Sequence, residues 1–84
     1  MISTGQIRAA RAFLRWTADD LAKKSSVGVA TIRRLELQDG IPKTNTNTLL
    51  LLKKTFEMAG VEFTGEPDNA PGVRLVSKSS KQPS

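Results

Sequence analysis

The 84-residue chain contains no cysteine, no histidine and no tyrosine, and only one tryptophan and three phenylalanines. Without cysteine no disulfide can close a loop, and no thiolate can bind a metal or attack a substrate. Without histidine the commonest general base and the commonest zinc ligand are both missing. Cysteine proteases, Ser-His-Asp hydrolases and histidine-bound metal centres fall away together. The chain is therefore expected to be no enzyme and to hold no cofactor. Long apolar runs are missing too. The longest run of large apolar side chains covers only residues 49–52, far short of the ~20 that a bilayer needs. The first residues carry no apolar stretch behind a basic start, so a cytoplasmic location with no membrane partner is expected.

Positive charge is what the chain does have. Net charge is +5, and it is unevenly placed: residues 1–54 carry ten Lys/Arg against four Asp/Glu, residues 55–84 three against four. A basic body with a near-neutral tail suits docking on a polyanion, although small domains are also basic for solubility alone. A domain of this size buries roughly 60–65% of its unfolded surface, so association between copies is one ordinary route to added stability.

Apolar spacing divides the body into about four helices. Thr4 is a candidate cap, with Ile7, Ala10 and Leu14 forming one stripe behind it. Thr17 with Asp20 three residues on reads as a capping box opening a second helix at residues 18–24, in which Leu21 and Ala22 turn inward. Adjacent Asp19 and Asp20 resemble a catalytic carboxylate pair only on paper, because neighbours on a helix diverge by about 100°. Residues 25–28 break that helix, and a third begins near Val29. Ile32 and Leu35 share its inner face; Ala30, Arg34 and Leu37, with Arg33 beside them, lie opposite. After the Gly40–Pro42 stop, a fourth helix is expected over residues 47–59, with Leu49, Leu52, Phe56 and Ala59 inside and Gly60 as its end. Then the period changes to alternation at residues 61–63 and 72–76, two short strands separated by a turn-rich stretch. Residues 77–84 are Ser, Lys, Gln and Pro alone and are expected to form a disordered tail.

Helix, short turn and helix inside a basic body is the arrangement that seats a second helix in a DNA major groove. The sequence here resembles the Cro and CI repressor-like helix-turn-helix regulators. The residues that carry the resemblance are 7–11, Leu21-Ala22, Val27, 31–36 and Thr48-Leu49, and residues 59–63 are similar to one group of compact bacterial members. Two positions depart from that pattern: Ser26 stands where the family usually has glycine in the turn, and Gly28 where it usually has a Ser or Thr cap. The resemblance implies an all-α, lambda repressor-like fold over residues 4–60, with the helix-turn-helix at about 17–37. A strand or hairpin extension would follow at 61–76.

By the same resemblance, Val29, Ala30 and Arg34 match base-reading positions, and Thr31 and Arg33 match positions near the DNA backbone or groove edge. Arginine can hold guanine O6 and N7 together, and Ala or Val can pack on a thymine methyl; the competing reading of the two arginines is a solvated helix face. Gly28 would cap the reading helix. Thr17 and Ala18 open a helix whose free N–H groups suit a phosphate. Lys43, Thr44 and Asn45 can reach the backbone or simply solvate a loop. Arg11 and Glu36 match a structural ion pair in relatives. On the fourth helix Leu50, Leu51 and Met58 have no place in the inner stripe, which points to a homodimer interface, with Val61 and Phe63 as further candidates. The two strands could pair within one chain or across a dimer. The expected function is a dimeric, sequence-specific regulator of transcription, a repressor or autoregulator bound to pseudo-palindromic double-stranded DNA. The alternative is an antitoxin-like protein-interaction module with secondary DNA binding.

Overall fold

The computed structural model describes residues 2–66 and 69–76. Four helices precede one antiparallel hairpin: α1 (Thr4–Leu14), α2 (Ala18–Ser25), α3 (Val29–Glu36), α4 (Thr46–Met58), β1 (Val61–Glu66) and β2 (Asn69–Leu75). The expected tail at residues 77–84 lies outside the described residues.

The cap of α1 is Ser3 rather than Thr4. Ser3 Oγ accepts the Gln6 N–H at 3.1 Å, while Gln6 Oε1 accepts the Ser3 N–H at 2.8 Å, a complete capping box. Thr4 is instead fully buried, and its hydroxyl donates to the Leu35 carbonyl at the end of α3. Helix α2 opens on the reciprocal Thr17–Asp20 box. It closes at Ser26, whose φ of 66° is left-handed. That conformation costs a residue with a Cβ roughly 1–2 kcal/mol, which explains why glycine suits this corner, and here serine accepts the strain. Helix α3 begins after Gly28 with no side-chain cap. Asn45 caps α4 through its side-chain oxygen, one residue earlier than the spacing indicated.

Ile7, Ala10, Leu21, Val27, Ile32, Leu35, Leu49, Leu52, Phe56 and Val61 form one continuous core together with Ile2. Trp16 stacks on Phe56 with ring centres 5.8 Å apart, and Phe63 meets the edge of the same ring at 5.9 Å.

The expectation of an all-α fold with an appended strand or hairpin does not hold. The molecule is mixed, four helices with a two-stranded antiparallel sheet, and its hairpin is built into the core. Val61 pairs with Leu75, Phe63 with Val73 and Thr64 with Gly72, so both strands come from one chain. The inner face of the hairpin, Val61, Phe63 and Val73, covers the helical core, and this burial is what fixes its register. Much of the turn-rich stretch after Phe63 is strand as well. The ladder continues past an irregularity between Thr64 and Glu66, where Gly65 takes φ 70°. A Cβ on Gly65 would lie 2.1 Å from the Ala70 carbonyl oxygen, so only glycine fits.

Candidate nucleic-acid interface

Helix α3 is held by α1 more than by its own ends. Two of its C-terminal carbonyls, which a helix leaves without internal partners, receive donors from α1. The Thr4 hydroxyl reaches Leu35 O, and Arg8 Nη1 reaches Glu36 O at 2.9 Å. Below them Arg11 Nε and Nη2 grip the two Glu36 carboxylate oxygens at 2.8 and 2.7 Å, and Arg11 Nη1 donates to Trp16 O at 2.9 Å. This bidentate pair is mostly shielded from solvent. The hydrogen bond to Glu36 holds the guanidinium pKa above its ordinary value against the opposing effect of burial. The Arg8 and Thr4 contacts are not announced by their spacing, because each partner lies some thirty residues away in sequence.

Fixed this way, α3 buries Ile32 and Leu35 and turns Ala30, Arg33, Arg34 and Leu37 outward. Val29 and Thr31 are half-buried at its flanks, and Gly28 is exposed at its start. Among the described residues the Arg34 side chain makes no ion pair. Arg33 Nη2 lies 3.7 Å from Asp19 Oδ2, which joins the first turn of α2 to the outer face of α3. Ala22 packs partly against the core, and Val27 is buried beneath the turn.

The start of α2 differs from the open anion site expected at Thr17 and Ala18. The Thr17 hydroxyl is occupied by the Asp20 N–H, and the Asp20 carboxylate takes the Thr17 N–H at 2.9 Å. That backbone hydrogen bond, followed by one from the Thr17 side chain, keeps the Asp20 carboxyl below its usual range. Ala18 is half-buried against the core. With Asp19 and Asp20 in the first turn, the positive end of the helix dipole already has its anions.

In the loop after α3, Lys43 is exposed and its backbone N–H is tied to Gln38 Oε1 at 2.8 Å. Thr44 is half-buried, and Asn45 spends its side-chain oxygen on the cap of α4. Of these three, Lys43 is exposed and carries the positive charge.

On the far side of α4, Leu50 and Met58 are 58% and 61% exposed and Leu51 is 38% exposed. Val61 does not join them: it is 2% exposed and belongs to the monomer core. Phe63 is half-buried against Phe56. The strand alternation is present, but the helices of the same chain cover its apolar side.

Sequence reading also missed Gln6. Its Nε2 donates to Thr64 O at 3.1 Å and Gly72 O at 2.9 Å, so one side chain fastens the hairpin to α1 while completing the cap. The Ser3-x-x-Gln6 spacing was the available clue to the cap half of that role. No helix among the described residues is long and apolar enough to cross a membrane. The chain matches no family model, no curated protein and no solved structure.

Proposed function

We propose that the chain binds double-stranded DNA through the outer face of α3 and acts as a dimeric regulator of transcription. The observation that carries this reading is the way α3 is held. Contacts from α1 fix both its angle and its C-terminal end, yet its outer face presents Ala30, Arg33 and Arg34 without apolar bulk at its start. A short helix held rigidly and left uncovered suits insertion in a major groove. The charge surplus of the first 54 residues supplies the attraction to phosphate that such binding requires.

Arg34 is the base reader in this proposal and Lys43 a phosphate contact. The test begins with selection of a preferred duplex from a random pool, followed by titration of that duplex and a scrambled one at several salt concentrations. Arg34→Ala should cost about 1–3 kcal/mol on the selected duplex and flatten the preference at one base pair. Lys43→Ala should weaken both duplexes alike and lower the salt slope by about one phosphate's worth. Equal losses on both duplexes for Arg34→Ala would remove it as the reader. Failure to enrich any sequence would sink the proposal itself.

A further inference from the structure

The two arginines on the outer face of α3 differ in their surroundings. Arg34 has no ionic partner among the described residues, whereas Arg33 lies 3.7 Å from Asp19. Asp19 is not required by its own helix cap, since Asp20 closes that box with Thr17. Nor does the pair hold the fold together. The Arg33 and Asp19 side chains are 65% and 62% exposed, and ion pairs so open to water add little to stability. A carboxylate thus lies within ion-pair distance of one of the two cations on the face proposed to meet a polyanion, and its place at the positive end of the α2 dipole does not require that contact.

We propose that Asp19 masks Arg33 from phosphate and so limits the sequence-independent part of the affinity; the inference rests on the DNA reading above. The physics is direct. A phosphate that approaches Arg33 must compete with a carboxylate already at its guanidinium, and it meets like charge from Asp19 as it does so. Asp20 adds a second negative charge at the same helix end. Arg34 carries no such burden, so base reading is left at full strength while the neighbouring backbone contact is weakened. Sequence-independent binding is almost wholly phosphate neutralisation, which is where a masked arginine has its effect.

The experiment is a double-mutant cycle of Asp19→Asn and Arg33→Gln, with Glu66→Gln on the hairpin as a control for net charge. Each protein is titrated with a scrambled duplex across a salt series and eluted from immobilised heparin. Asp19→Asn should tighten the scrambled duplex by about two- to fivefold, the strength of one exposed ion pair. It should also delay elution from heparin, by more than Glu66→Gln does. In the Arg33→Gln background the gain should shrink to that of the control. An equal gain with and without Arg33, or no gain beyond the control, overturns the masking. If no variant binds duplex while the Arg33-dependent shift on heparin persists, the masking stands and the DNA reading falls.

Discussion

Gln6 makes full use of an amide in a site that has no spare partner. Its oxygen takes the Ser3 N–H, and its nitrogen serves two carbonyls on opposite strands of the hairpin. The residue is 4% exposed, so water replaces a lost bond only in part. Gln6→Glu keeps the size and the acceptor but deletes the donor, and turns a carboxylate toward two carbonyl oxygens. The expected cost is about 2 kcal/mol or more, combining two orphaned acceptors with an uncompensated charge. Urea unfolding of the variant gives the total, and amide exchange on residues 61–66 and 69–75 locates the loss. An unchanged midpoint would mean that Gln6 does not fasten the hairpin. Nothing in the local sequence could announce this role, because the partners are 58 and 66 residues away. A polar residue beside an apolar stripe ordinarily reads as solvated.

Helix ends and inner stripes were the legible elements, because each depends on residues within four positions of one another. The Thr17–Asp20 box, the Ile32/Leu35 face and the Leu49/Leu52/Phe56 stripe all came from such spacing. The α1 cap was displaced by one residue because two hydroxyls, Ser3 and Thr4, stand side by side, and only tertiary contact with Leu35 decides between them. The hairpin was legible as alternation but not as core, since alternation does not say what covers the apolar side. The support of α3 is long-range as well, and of it only the Arg11–Glu36 pair is legible in the sequence, through the family resemblance rather than through spacing. The Arg11–Glu36 pair spans two helices and is shielded enough that removing one partner strands the other. Arg11→Ala and Glu36→Ala should each cost more than ~1 kcal/mol, above an exposed pair. The double variant should lose clearly less than the two singles added together, a coupling of about 0.5–3 kcal/mol in thermal melts. Additive losses would mean that the two side chains act independently. Glu36→Gln should also weaken binding to the selected duplex if the angle of α3 matters to it.

Among the described residues, two uncovered surfaces bear on the proposed function, and they lie on different helices. The cationic face belongs to α3; an apolar one belongs to α4, where Leu50, Leu51 and Met58 stand exposed while Leu49, Leu52 and Phe56 fill the core, and Phe13, Leu37, Ile41, Leu75 and Val76 are exposed elsewhere. A helix that is apolar on two sides in so small a domain has more apolar surface than one core can take. Pairing of that second face with a second copy is the proposed outcome, and a two-fold dimer would set two α3 helices on successive major grooves, about 34 Å apart. Val61 is buried and Phe63 half-buried against the monomer core, which shifts the proposed contact to α4. That burial also selects the variants. Phe63→Glu would damage the packing against Phe56 and confound folding with association, whereas Leu50→Glu and Leu51→Glu alter exposed positions. Either should shift sedimentation toward the monomer and weaken a full palindromic site far more than a half-site. Their circular dichroism should stay close to wild type, and their melting should fall by no more than the loss of association brings, because the surface changes themselves usually fall within about 0.5 kcal/mol. A wild-type chain that sediments as a monomer at micromolar concentration and binds a half-site as tightly as a full one would refute the dimer. The monomer would then have to read its site with a single α3.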